Sequence, residues 1–224
     1  MSEIPMNTEK NWEAYNDFLL SGTLDRFTKI LARYELFRLV CNLPGDIVEA
    51  GVFKGTGVLY WAKLLQIFNP LSIRRVVGFD TFEGYVSKNN LDSERTAADA
   101  FVCEAAYVPV TAQEIFESAR IQGLGHRVEL VVGDGTKTIP EYVRRNPGFR
   151  IALLNLDFDV YTATKTALEE LYNRVVPGGV IAFDEYASRL WGESNAADEF
   201  FSTRKIQYRT LPWAKSPSAY LIKE

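Results

Sequence analysis

The chain has 224 residues, 47% of them hydrophobic and 24% charged, with 25 Lys and Arg against 29 Asp and Glu. That length suits one sizeable domain without a disulfide framework, and the net charge of −4 argues against a nucleic-acid or anionic-membrane partner. One histidine, His126, and two cysteines, Cys41 and Cys103, exclude most His-rich metal sites and a zinc cluster, so in an enzyme carboxylates, lysines or tyrosines carry most of the chemistry.

No apolar run approaches the ~18 residues that cross a bilayer. The opening MSEIPMNTEKNWEAY lacks the charged-then-apolar pattern of a signal peptide. A soluble, cytoplasmic protein is expected. From about Trp12 to Asn42 the chain reads as helices. Phe27, Ile30, Leu31, Tyr34, Phe37, Val40 and Cys41 recur at mostly three- and four-residue spacings and form one apolar stripe. Leu43-Pro44-Gly45-Asp46 stops that helix.

Short apolar runs then alternate with amphipathic segments. The runs are Ile47–Val52, Val76–Asp80, Val128–Asp134, Ile151–Asp157 and Val180–Asp184. Helices are expected over Leu59–Phe68, Thr111–Ile121, after Pro140, over Thr162–Val175 and around Asn195–Thr203. Nearly continuous apolar runs fit a parallel sheet covered on both faces, and the alternation predicts a doubly wound α/β fold. Two further runs, Ile206–Leu211 and Ala219–Ile222, have no helix between them and predict an antiparallel C-terminal hairpin. The long connection from Gly84 to Gly125 holds a candidate lid over Tyr85–Pro109.

Ligands of such sheets bind at the carboxyl ends of the strands. The first strand ends in Glu49-Ala50-Gly51-Val52-Phe53-Lys54-Gly55-Thr56-Gly57. Its glycine order is not the G-x-G-x-x-G of dinucleotide folds. The acid before the loop disfavours phosphate and favours a cationic group. Asp80 is placed to accept from ribose hydroxyls or to cap the next helix, with Thr81 beside it. Asp134 suits an adenine amine or a turn. The fourth strand ends in Asp157-Phe158-Asp159 and the fifth in Asp184-Glu185. Four carboxylates at adjacent strand ends repel one another unless a hard divalent cation sits among them. The alternative is that each caps a helix or pairs with a cation such as Lys165 or Arg189.

GDIVEAGVFKGTG at 45–57, GFDTFEGY at 78–85, LDFDVYTATKTALEELYNRVVPGGVIAFDEY at 156–186 and DEF at 198–200 resemble the macrocin O-methyltransferase family. The resemblance runs from about Phe27 to the end. It implies a class I, Rossmann-like methyltransferase: a seven-stranded, mostly parallel sheet with the antiparallel C-terminal hairpin. An N-terminal helical extension (1–43) would precede the methyltransferase domain (44–224) and its insertion (85–110). It implies S-adenosylmethionine as cofactor, with Glu49, Gly51, Phe53 and Gly55 around the methionine part, Asp80 and Thr81 at the ribose and Asp134 by the adenine. It also implies magnesium on Asp157, Asp184 and Glu185. Glu185 stands where the family usually has a second Asp.

The expected reaction is methyl transfer to a hydroxyl of a small molecule, most simply a sugar of a natural product or polysaccharide. Asp157 orients the acceptor through the metal, and Asp159 is the first candidate base. Tyr85, Tyr186 and Trp191 are candidate acceptor-pocket residues. His126 precedes the third strand, at the wrong end of the sheet for chemistry. A homodimer through the N-terminal helices is expected. Competing readings are a metal-independent N- or carboxyl-methyltransferase, a nicotinamide-dependent oxidoreductase and a non-catalytic nucleoside-binding module.

Overall fold

The computed structural model describes residues 8–85, 91–104 and 110–224. Two helices come first, α1 (Thr8–Ser21) and α2 (Leu24–Val40). The alternating part follows: β1 (Asp46–Ala50), α3 (Thr56–Phe68), β2 (Val76–Asp80), α4 (Asp92–Glu104), α5 (Ala112–Ile121), β3 (Val128–Val132) and α6 (Gly135–Arg145). It continues with β4 (Ile151–Leu156), α7 (Tyr161–Leu171), β5 (Val175–Phe183), α8 (Glu193–Phe201) and β6 (Ala219–Ile222).

The sheet order is β3-β2-β1-β4-β5-β6. β1 to β5 are parallel, and β6 pairs antiparallel with β5. The chain winds outward from β1 to β3, then jumps to β4 on the other side of β1. That reversal opens a crevice between the carboxyl ends of β1 and β4.

The pleat sends neighbouring residues to opposite faces. Ile47, Val76, Leu153 and Val180 join one core with α2, α3 and α5. Val48, Val77, Leu154 and Ile181 join the other with α6, α7 and α8. This two-sided burial is why the strands are legible as unbroken apolar runs.

Three expectations need correction. Among the described residues the sheet has six strands rather than seven, because the run Ile206–Leu211 contributes only an antiparallel bridge, Arg209 to Tyr220. Lys205, Gln207 and Arg209 are exposed there, and Pro212 ends the run before a ladder can extend. The helix placed after Pro140 begins earlier, at Gly135, and contains that proline. The stripe on α2 is rotated: Ala32, Arg33, Leu36, Phe37 and Val40 face inward, whereas Phe27 and Leu31 are exposed.

The C-terminal half of α2 packs through Leu36, Phe37 and Val40 into the core shared with β1 and α3. Because α2 ends just before β1 begins, it runs back along the sheet, and its N-terminal half reaches the carboxyl edge. Of the lid region, residues 86–90 and 105–109 lie outside the described residues. Between them runs α4. Thr111 caps α5 in a reciprocal box with Glu114.

Candidate active site

β1 delivers Glu49 to the crevice. Its side chain is buried, and a Cβ on Gly57 would stand 1.8 Å from Glu49 Oε1, so glycine there makes room for the carboxylate at the start of α3. Arg33 Nη2 donates to Glu49 Oε1 at 3.1 Å. Glu49 Oε2 is buried with no partner among the described residues. Burial, only partly offset by Arg33, pushes the Glu49 carboxyl up to about 8.

Gly51 has φ +103°, a conformation that L side chains rarely adopt. The loop after it is tied to β2: Asp80 Oδ2 accepts from the backbone N–H of Val52 (2.7 Å) and of Phe53 (2.8 Å). Asp80 Oδ1 accepts from Phe82 N at 2.7 Å. Thr81 Oγ1 donates to Gly84 O at 2.7 Å. Gly55 precedes the first turn of α3, with φ +79°. Asp134 is the N-cap of α6, accepting from Thr136 N at 3.0 Å. Asp134 therefore caps a helix, whereas Asp80 has no helix directly after it to cap and instead ties the loops after β1 and β2 together. Asp80 Oδ2 already accepts two such bonds, so a ribose hydroxyl would reach this carboxylate through Oδ1.

The acidic cluster assembles at the ends of β4 and β5, and its counter-ions come from α2. Lys29 Nζ lies 2.9 Å from Asp184 Oδ2 and 3.5 Å from Asp157 Oδ2. Arg33 Nη2 is 3.7 Å from the same Asp157 oxygen. These two cations, one turn apart on α2, occupy the role expected of Lys165 or Arg189. Lys165 pairs instead with Glu199 at 2.6 Å. Burial first, then the negative charge of Asp184, raises Asp157 to about 7. Burial also pushes Asp184 upward, but Lys29, the hydroxyl of Ser216 and Arg33 outweigh it and hold Asp184 low.

Asp159 adopts φ +65°. The Tyr85 hydroxyl donates to its Oδ2, and the Tyr85 ring stacks on Trp191 with centroids 5.5 Å apart. Burial, followed by repulsion from Asp157, lifts the Asp159 carboxyl well above its ordinary value. Tyr186 turns outward, donating to Asp198 and stacking on Tyr208, so of the three candidate pocket aromatics only Tyr85 and Trp191 meet at the acidic cluster. The Tyr161 hydroxyl is bonded to Glu199.

Burial, then Asp184, raises the Glu185 carboxyl. Neither Lys29 nor Arg33 forms an ion pair with it. Among the described residues no group of three or more His, Cys, Asp or Glu side chains is arranged to hold a metal ion. Two of the three expected metal ligands, Asp157 and Asp184, do converge on one positive charge with oxygen donors, the chemistry of a hard divalent cation. The ammonium of Lys29 stands at that point. His126 lies in the turn 125–127 at the amino end of β3, away from the cluster.

Sequence reasoning missed Lys29, Arg33, Glu94 and Glu193. The last two are fully or almost fully buried carboxylates, and Glu193 Oε1 accepts from Glu185 N at 2.8 Å. Among the described residues, four other than glycine have positive φ: Phe53, Phe82, Asp159 and Ala187. They follow β1, β2, β4 and β5, so the backbone strain collects along the carboxyl edge, as it does at functional sites.

The macrocin O-methyltransferase (TylF) family model matches residues 26–212. The chain belongs to this family. The match begins inside α2 and so takes in Lys29 and Arg33 along with strands β1 to β5. A tetracenomycin 4′-O-methyltransferase of Streptomyces olivaceus, which acts on the demethyl dimethoxyrhamnosyl compound its name describes, is 30% identical over 151 residues. That alignment covers 66% of this chain and 56% of the relative. The mycinamicin III 3″-O-methyltransferase of Micromonospora griseorubida is 28% identical over 148 residues, 65% of this chain and 56% of the relative. The chain thus spans little more than half the length of these family members. Among solved structures, the calicheamicin methyltransferase superposes with a TM-score of 0.79 at 30% identity, covering 99% of this chain and 86% of that one. It carries the same fold.

Proposed function

We propose that this member of the macrocin O-methyltransferase family transfers a methyl group from S-adenosylmethionine to a hydroxyl of a sugar borne by a small-molecule natural product. The observation that carries the reading is the pairing of two features across the crevice. One is a buried carboxylate, Glu49, with a partnerless oxygen beside a glycine loop that excludes the dinucleotide pattern. The other is the acidic cluster around Asp159. A cationic, nucleoside-bearing cofactor suits the first, and a hydroxyl that must lose a proton suits the second. The rhamnosyl compound and the TDP-rhamnose named for two relatives point to the acceptor class.

In this proposal Glu49 Oε2 accepts from the amino group of the cofactor's methionine part. Gly51, Phe53 and Gly55 let the backbone approach it, while Asp80, Thr81 and Asp134 line the nucleoside. Asp184, the acid held low, contributes the negative field that favours the sulfonium. Asp159 would take the hydroxyl proton as the O–CH3 bond forms and the sulfonium S–CH3 bond breaks in line, leaving a neutral thioether, and Tyr85 holds that carboxylate in place. Tyr85 and Trp191 wall the acceptor side.

Magnesium on Asp157 and Asp184, with Glu185 swinging in, belongs to the same proposal. Bound there it would lower the pKa of the acceptor hydroxyl. Purified protein assayed with S-adenosylmethionine and a panel of sugar and catechol acceptors should lose at least tenfold in rate in EDTA, about 1.4 kcal/mol of barrier, and recover with Mg²⁺. An unchanged rate in EDTA removes the metal and leaves methyl transfer standing. Failure to bind S-adenosylmethionine, alongside binding of NAD, sinks the whole reading.

The helical extension, residues 1–43, has two tasks in this proposal. α2 covers the site, and α1 joins two copies of the chain. Trp12, Tyr15, Leu19, Leu20 and Leu24 are all exposed on α1 and the start of α2, an apolar surface of the kind that subunit contacts cover. Sedimentation velocity is expected to return the mass of two chains; a monomer at micromolar concentration rules the contact out.

A further inference from the structure

Glu94 is the third residue of α4, within the insertion, and is 1% exposed. Its Oε2 accepts from Leu91 N at 2.7 Å, at the start of its own helix. Its Oε1 accepts from Tyr161 N at 2.7 Å and from Gly192 N at 2.9 Å. Tyr161 opens α7, and Gly192 is the residue before the first turn of α8. One carboxylate therefore satisfies backbone donors at the starts of three helices, where N–H groups have no partner inside the helix and the helix dipole favours negative charge. The fit leaves no slack: a Cβ on Gly192 would stand 2.3 Å from Glu94 Oε1 and 2.6 Å from the Tyr161 Cβ.

The two loops held this way are those of the acidic cluster. Asp159 lies two residues before Tyr161, and Trp191 directly precedes Gly192. The insertion touches the same loops a second time through Tyr85, which donates to Asp159 and stacks on Trp191. The cofactor-side loops after β1 and β2 are held separately, by Asp80.

We propose that Glu94 is a positioning residue that fastens the insertion to the acceptor half of the site, setting the spacing between Asp159 and Trp191 independently of the cofactor half. The proposal rests on the methyl-transfer reading for the meaning of the two halves, and its first test does not depend on that reading. Hydrogen–deuterium exchange is compared between the parent protein, Glu94→Gln and Glu94→Ala. In Glu94→Ala the amides of 91–100, 159–163 and 190–194 should exchange at least tenfold faster, while those of 47–68 stay unchanged. Glu94→Gln keeps one oxygen for Tyr161 and Gly192 but turns an NH₂ toward Leu91 N–H, so it should loosen 91–100 more than the other two segments. The near-ultraviolet circular dichroism of the Tyr85–Trp191 stack should weaken in step with the loosening.

Calorimetry with S-adenosylmethionine should give a Kd within twofold of the parent for both variants. On any acceptor that turns over, KM should rise at least tenfold in Glu94→Ala, by more than kcat falls. Equal loosening of 47–68, or protected amides at 159–163 and 190–194 in Glu94→Ala, overturns the proposal. If S-adenosylmethionine does not bind the parent protein, the reaction reading fails while the exchange pattern still decides whether Glu94 is the fastener.

Discussion

Gly51→Ala is expected to cost about 2–6 kcal/mol of stability and to remove cofactor binding. A Cβ at this position would lie 1.9 Å from the Asp157 carbonyl oxygen and 2.4 Å from its carbonyl carbon. Those are backbone atoms, so no side chain can swing aside. The backbone bond from Asp157 N to Ala50 O, 2.7 Å long, stitches β1 to β4 at the same place. Alanine therefore meets two costs at once. A φ of +103° strains an L residue by ~1–3 kcal/mol. Relieving the clash parts the two strands where the crevice opens, for a further ~1–3 kcal/mol of overpacking. That parting displaces Glu49 and Asp157 together. Urea denaturation and calorimetry with S-adenosylmethionine check this. A variant within 1 kcal/mol of the parent that still binds the cofactor would refute the steric argument.

The second large effect is expected from Asp159→Asn, a fall in kcat of about 10²–10⁴, the usual contribution of a positioned acid or base. Asparagine preserves volume, and its amide oxygen can still accept from the Tyr85 hydroxyl, so the Tyr85–Trp191 stack and the fold should persist. Because Asp159 is assigned to the acceptor half, the Kd for S-adenosylmethionine should stay within twofold of the parent. Single-turnover kinetics separate the chemical step from product release. A loss below tenfold would assign the proton to another group and leave Asp159 as an anchor for Tyr85.

The strand ends were legible because the physics that places them is local. Runs such as Val76–Asp80 are apolar throughout, both faces being covered, and a carboxylate closing such a run is conspicuous. That reading brought Glu49, Asp80, Asp157, Asp159 and Asp184 to one edge, and the fold brings them there. The counter-ions were not legible. Lys29 and Arg33 sit within a helix read by its apolar residues, and a cation between them looks like solvent-facing surface. Only the packing of Leu36, Phe37 and Val40 turns that face toward β4 and β5. Glu94 was hidden for a similar reason, since its partners are backbone N–H groups 67 and 98 residues away. The positive φ value of Phe53 leaves no trace in residue type, unlike those of Gly51 and Gly55. The seventh strand failed because the alternation in Ile206–Leu211 describes a segment able to pair, and the partner edge offers it only Tyr220.

The two cations of α2 also change what it means for this edge to receive a ligand. Asp157 and Asp184 are matched by charges covalently tethered to the same chain, so a positive ligand at those two carboxylates does not fill a hole. It takes part in an ion exchange in which Lys29 must let go of Asp184. The affinity measured for such a ligand is a difference between two attractions to the same oxygens, and it depends on how firmly the far end of α2 is seated in the core. Substitutions at Leu36 or Phe37, far along the helix from Lys29, thereby belong to the chemistry of the acidic edge as much as to the stability of the fold.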